Sequence, residues 1–314
     1  MGKQKKLWCL CLFLTVFIVL PHSGFGKRKP LLGLIEAPKG EGKRYIPAEE
    51  GQMFRGFTGY EEEVWLVETE DGTLYIDVPE GRRMITLGVN VIVQAEVTFD
   101  LTKGDYRYHY ALHNLKTSPR EASDFEVVFD PSLPFSDFTA PQTKPNPWDA
   151  WGREKEINPE SWERAGRPLR WWGTLSMGES LGGFSFRSPV LPGIVHCWSR
   201  VVIPHSGGVF LEGRTLGPIA PPEEFESQKF LERLSSIIDE SLAEGWIEDK
   251  KVAQDLKKRL ESARQAIESR DKKRLESTLK DLLKKVEQEK DRSLLSEAYA
   301  LLKYNVQYWL DQLK

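Results

Sequence analysis

Residues 91–114 read VIVQAEVTFDLTKGDYRYHYALHN. Val91, Val93, Ala95, Val97, Phe99 and Leu101 fall on one side of an extended chain; Asn90, Gln94, Glu96, Thr98 and Asp100 fall on the other, with Ile92 the exception. A period of two marks a half-buried strand. Thr102-Lys103-Gly104-Asp105 supplies a polar tip and a glycine for positive φ. On the return strand Tyr106, Tyr108, Tyr110 and Leu112 share one face, and Arg107, His109, Ala111 and His113 the other. Aromatic and β-branched side chains suit such a pleated surface. The stretch therefore predicts a long hairpin at the centre of a β-domain.

Working outward, residues 114–119 read as a turn and Asp124 to Phe129 as a third strand, with Phe125, Val127 and Phe129 facing the core. Upstream, Glu63–Thr69 and Thr73–Val78 form a hairpin across Glu70-Asp71-Gly72. Downstream, strands are expected at Leu169–Leu175, Gly183–Arg187, Gly193–Ile203 and Gly208–Leu216. Roughly nine short strands separated by Gly/Pro turns predict an antiparallel β-sandwich over residues 59–216. Residues 27–58, rich in Gly, Pro and charge, read as a linker or irregular edge. Residues 131–167, rich in Pro, Trp and charge, read as a long loop.

The chain opens with a basic start, Lys3 to Lys6, an apolar run from Leu7 to Leu20, Pro21, and the small residues Ser23, Gly24 and Gly26. That order describes a secretory signal peptide ending near Gly26. The rival, an uncleaved membrane anchor, needs roughly twenty apolar residues. No Leu-rich box leads into a cysteine there, so the segment does not read as a lipoprotein signal. An extracytoplasmic location follows, either secreted or at the cell surface or periplasm. Cys9 and Cys11 would leave with the signal, and Cys197 then has no partner for a disulfide. It reads as a buried small hydrophobe rather than a reactive thiol. Charge is slightly negative and evenly mixed, which argues against nucleic acid.

Residues 217–222, GPIAPP, form a stiff linker, and from 223 the period changes. Pro222, Glu223 and Glu224 suit a helix start, and Phe230, Leu234, Ile237, Ile238 and Leu242 mark its apolar face. Gly245-Trp246-Ile247 breaks it. Asp249, Asp271 and Ser293 are placed to cap three further helices, with stripes Val252–Ile267, Leu275–Val286 and Leu294–Trp309. Four amphipathic helices with short connections predict an antiparallel bundle over 223–314. The fold class is thus multidomain, all-β followed by all-α.

The pattern Glu244-Gly245-Trp246-Ile247, then Val252-Ala253, Leu256, Leu260, Ala263 and Ala266-Ile267, then Leu279 to Val286, then Ser296, Ala298 and Leu301-Leu302 resembles the FIMAH helical domain, over about the last ninety residues. That module lies at the C-terminus of secreted and surface-associated bacterial proteins, often beside hydrolase domains. The resemblance implies an adhesion or binding role rather than catalysis. Where the family often has Gly-Asp before its third helix, this chain has Arg270-Asp271. The β-domain is similar to uncharacterised secreted bacterial domains through Tyr106, Tyr108, Tyr110 and Asn114, and through the segment Gly183 to Gly193. This second resemblance implies no activity.

No catalytic motif stands out. His109 and His113 share a strand face about 13 Å apart, too far for one metal. The acids Glu61 to Glu63, Asp137, Asp149, Glu154, Glu156 and Glu163 sit in no hydrolase pattern. Gly178-Glu179-Ser180-Leu181-Gly182 resembles a nucleophile elbow only loosely. No residue pattern asks for a cofactor or a metal. The tryptophans are the stronger signal: Trp148, Trp151, Trp162 and Trp172 are the candidate ligand-binding residues. Trp171 and Trp172 are strand neighbours, so one faces the core and the other solvent. The competing reading, and the preferred one for these rings, buries them in a second small core. The preferred function is a non-enzymatic binding protein of a bacterial envelope. The alternatives are a carbohydrate-binding or carbohydrate-cleaving sandwich, and a structural subunit of a surface assembly. The partners are a cell-surface protein or polysaccharide, with membrane contact only through an uncleaved leader.

Overall fold

The computed structural model describes residue 28 and residues 44–47, 65–68, 74–77, 83–84, 91–118, 121–130, 132–142, 149–151, 169–203, 207–222 and 224–314. Residues 1–26, read as a leader, and Trp148 and Trp162 lie outside the described residues.

The central hairpin forms as read. β5 (Val91–Asp100) pairs antiparallel with β6 (Asp105–Asn114), from Val91↔Asn114 to Asp100↔Asp105. Tyr108, Tyr110 and Leu112 are buried with Val91, Val93, Ala95 and Val97. The turn comes earlier than the alternation implied. The Asp100 carboxylate accepts from the Thr102 N–H at 2.9 Å and the Thr102 hydroxyl at 2.6 Å, and the Gly104 N–H donates to the Asp100 carbonyl at 2.8 Å. Leu101, expected on the core face, therefore lies in the turn and is 88% exposed.

Two antiparallel sheets carry the sandwich. One has the order β5-β6-β11-β8, with β8 at Ser136–Thr139 and β11 at Ser180–Ser188. The other has the order β13-β12-β7-β10-β9, with β7 at Ala122–Val128, β9 at Asp149–Trp151, β10 at Leu169–Leu175, β12 at Pro192–Ile203 and β13 at Gly207–Pro218. Between them lies an aromatic core. Tyr108 stacks on Phe186 at 4.7 Å between centroids, and Phe125 on Trp171 at 5.2 Å. The Tyr110 hydroxyl donates to the Leu216 carbonyl at 2.7 Å, tying one sheet to the other. Phe125, Val127 and Phe129 face this core as expected, and Cys197 is buried in it.

Upstream, β2 (Trp65–Glu68) and β3 (Leu74–Asp77) form the expected hairpin. They belong to a separate sheet, β1-β2-β3-β4, with β1 at Arg44–Pro47 and β4 at Arg83–Met84. β1 falls in the stretch read as a linker or irregular edge. β8 and β9 likewise fall in the stretch read as a loop. All three are short and pair at distance, so local periodicity does not announce them.

The bundle comprises α1 (Ser227–Ala243), α2 (Lys250–Glu268), α3 (Lys272–Glu289) and α4 (Ser296–Gln312). Each packs on the next, and α1 closes on α4. Asp249 and Asp271 cap as read, accepting from the backbone N–H of Lys251 at 2.8 Å and of Arg274 at 2.9 Å. Two expected starts move. α1 begins at Ser227 rather than after Pro222, and α4 begins at Ser296 with Leu295, not Ser293, in the capping position. After α1, Gly245 takes φ +76° and the Trp246 N–H donates to the Ser241 carbonyl at 2.8 Å, a Schellman ending.

The bundle is seated on the sandwich. α4 packs along β5 and reaches β12 and β13. The Glu297 carboxylate accepts from the Ala95 N–H at 2.8 Å, and the Asn305 side-chain amide donates to the Pro192 carbonyl at 2.9 Å.

Candidate functional site

β10 alternates cleanly. Leu169 and Trp171 point into the core and are fully buried, so Arg170 and Trp172 take the outer face. Trp172 is 47% exposed. The division expected for the Trp171-Trp172 pair therefore holds.

Register builds the rest of this face. Across the five-stranded sheet Glu212 pairs with Trp198, Trp198 with Glu126, Glu126 with Arg170, and Arg170 with Trp151. Trp172 pairs with Asp149 on the same edge strand. Trp151 and Trp172, far apart in sequence terms, thus come to neighbouring register positions on β9 and β10. Trp148 and Trp162 lie outside the described residues, so of the four candidate tryptophans the strand register places Trp151 and Trp172, by backbone position.

Arg170 is the hub. Its guanidinium sits over the Trp172 ring, 4.9 Å from the centroid. It also forms an ion pair with Asp124 at 2.5 Å and another with Glu126 at 3.4 Å. Both acids are almost completely buried. A buried charge is tolerable only when paired, and two carboxylates around one guanidinium meet that demand. The same two anchors hold the guanidinium beside the ring. The result is an exposed indole with a cation at its face.

Asp124 is shaped for this task by the backbone. It holds φ at +49°, outside the range most residues adopt. The pairing of β7 with β12 slips between Ser199 and Arg200, and its pairing with β10 slips between Trp171 and Thr174. These slips place a bulge at Asp124, and bulges re-aim side chains. Aspartate tolerates this left-handed conformation better than most residues.

A second charged cluster braces the hairpin tip. Arg187 pairs with Asp100 at 2.5 Å, Asp105 at 2.6 Å and Asp137 at 3.8 Å. Hydrogen bonds from the Thr102 hydroxyl and from Arg187 hold the Asp100 carboxyl well below the usual carboxylate range. Asp137, one of the acids that sit in no hydrolase pattern, is a counter-charge to Arg187 here. The histidines stand apart. Burial lowers the His109 pKa, and burial with the nearby Arg28 charge lowers that of His113 from 6.5 to about 4. The His113 Nδ1 lies 2.8 Å from the Ser180 hydroxyl. Among the described residues no group of three or more His, Cys, Asp or Glu side chains is arranged to hold a metal.

Sequence reasoning missed Asp124, Glu126 and Arg170. Each sits on a strand that reads as structural, and only long-range register unites them. An Asp at the first position of the expected strand, beside the core pattern of Phe125, was the one available signal of a bulge.

Residues 231–311 match the family model of the FIMAH domain. A search of curated proteins gives no match to this chain.

Proposed function

We propose that a chain ending in a FIMAH domain and opening with a signal-like segment is an exported protein of a bacterial envelope that binds its ligand without turning it over. The observation that carries the reading is Trp172, 47% exposed, with the Arg170 guanidinium fixed over it by two buried carboxylates. A half-exposed indole is a surface for stacking. The chemistry that fits a flat apolar ring beside a cation and polar edges is a sugar ring, so the ligand is a polysaccharide of the cell surface. The two acids do not favour hydrolysis, because both are buried and turned toward the Arg170 guanidinium, whereas a glycosidase keeps one carboxyl open to its substrate to give a proton.

The test is binding of the full chain to a panel of envelope polysaccharides by calorimetry, with release of reducing ends followed in parallel. Trp172→Ala is expected to weaken binding about tenfold, the loss of about 1.4 kcal/mol of stacking. Equal affinity of the wild type and Trp172→Ala would remove the site. Steady release of reducing ends would overturn the non-enzymatic reading.

A further inference from the structure

Arginines withdrawn from water in this fold are met by acids. Arg28 lays a fork on Glu297 at the start of α4, its Nε 3.0 Å from Oε1 and its terminal nitrogen 3.0 Å from Oε2. Arg170 has Asp124 and Glu126, and Arg187 has Asp100 and Asp105. On the bundle, the partly covered Arg259 and Arg264 pair with Asp255 and Glu261. A desolvated cation demands such partners. Arg233 on α1 departs from the rule. It is half-buried, and one terminal nitrogen is shut off from solvent with no hydrogen-bond partner among the described residues. No carboxylate acts on it: burial pulls its pKa down, and the group that opposes burial is the Tyr308 hydroxyl of α4.

The surroundings are aromatic. The Arg233 guanidinium lies 5.7 Å from the Phe230 centroid. Phe230 meets Tyr308 at 5.5 Å and Trp309 at 5.7 Å, and Phe225 meets the same two rings at 6.0 and 6.3 Å. Trp309 is fully buried, and its indole N–H also lacks an acceptor among the described residues. Two donors without acceptors thus border one ring, Phe230, with the half-buried Tyr308 hydroxyl close by. A cation over a ring recovers part of the cost of desolvation. It supplies no acceptor for the N–H, and an unmade hydrogen bond is where the cost is largest.

We infer that Arg233, with the Tyr308 hydroxyl, binds a carboxylate, and that this carboxylate ends a peptide chain whose last residue is apolar. One guanidinium carries one positive charge, which matches a carboxylate; a phosphate dianion asks for a second cation. The flat fork takes two carboxylate oxygens at once, as Arg28 does with Glu297. Phe225 and Tyr308 are half-buried, so they offer apolar surface beside the charge for the side chain next to the carboxylate. The acid of a sugar is ringed by hydroxyls, and the rings of Phe225 and Phe230 offer these no partner. Capture of a chain end by its carboxylate is an established mode of peptide recognition. Arg233 and Tyr308 both fall within residues 231–311, the stretch that matches the FIMAH model. They are distinct from the residues around Trp172, so either site can fail without the other.

The test is calorimetry of the full chain with acetyl-Phe-Leu carrying its terminal carboxylate and with the same dipeptide amidated. The acid is expected to bind, and the amide to bind about tenfold more weakly. Arg233→Met is expected to abolish the difference while keeping the alkyl stem in place. Tyr308→Phe is expected to weaken the acid and leave the amide unchanged. Thermal unfolding separates binding from folding. Without peptide, Arg233→Met is expected to melt no lower than the wild type, because it removes an uncompensated charge. The acid is expected to raise the midpoint of the wild type and not that of the variant. Equal affinity for acid and amide overturns the inference, as does binding of neither. A lower midpoint for Arg233→Met without peptide also overturns it, since the guanidinium is then a packing element of the aromatic cluster. A short polyuronate that binds through Arg233 where the dipeptide does not would overturn the peptide as the source of the carboxylate.

Discussion

Arg270 holds φ at +55° at the end of α2, the position a glycine fills in most helix endings of this type. The ending itself is complete: the Asp271 N–H donates to the Ala266 carbonyl at 2.9 Å and the Arg270 N–H to the Ile267 carbonyl at 3.0 Å. The left-handed backbone is thus imposed by the hydrogen bonds, against the preference of a side chain bearing a Cβ. Arg270→Gly is expected to stabilise the protein by about 1 kcal/mol, the strain of a left-handed residue. Thermal unfolding checks it, and an unchanged midpoint would mean that the extra freedom of glycine in the unfolded chain cancels the relief. Sequence reading marked this residue as a departure from a Gly-Asp pattern but had no means to say that the backbone shape survives it. The same limit applied at the site. Trp172 was legible because alternation alone decides which of two neighbours faces out. Arg170, Asp124 and Glu126 were not, because their meeting depends on the pairing of β7 with β10 and on a bulge.

β12 and β13 are long strands whose ends close on a tight spot. Gly193 pairs with Gly217, and a Cβ built on Gly193 would lie 2.0 Å from Ile219 Cδ1 and 3.0 Å from its Cβ. The Ile219 backbone cannot drift far, since its N–H donates to the Leu191 carbonyl at 3.0 Å. Gly193→Ala is therefore expected to destabilise by about 1–3 kcal/mol through overpacking, measured as a lower denaturant midpoint. A midpoint equal to the wild type would show that Ile219 swings aside. The long elements were readable throughout: two-residue alternation gave β5, β6 and β7, and three-to-four-residue stripes gave the helices. The short ones escaped. β1, β8 and β9 have 4, 4 and 3 residues, too few for a period to establish itself. α4 was read as a helix, but its sandwich-facing role was hidden, because a glutamate in a charged helical tail looks like a solvent group until its burial is seen.

Stability of the whole molecule should respond to pH through His113. Burial and the neighbouring Arg28 charge bring its pKa down from 6.5 to about 4, so the folded state prefers the neutral ring. Between those two values the unfolded chain binds the extra proton, and stability is full above about pH 6.5 and declines as pH falls toward 4. Allowing for solvent screening of a partly exposed ring, the loss is on the order of 2 kcal/mol. His113→Gln is expected to flatten this slope in urea titrations across the window, and an unchanged slope would assign the acid sensitivity to carboxylates instead.

The pair formed by Arg28 and Glu297 joins residues 269 apart in the chain. In mechanical language it is a short circuit. A pull applied near the two ends does not have to pass through the sandwich, because it crosses directly from Arg28 to the first turn of α4. A protein tethered at one end and loaded at the other would hold its sandwich still until that clamp gives way, and only then would tension reach the strands.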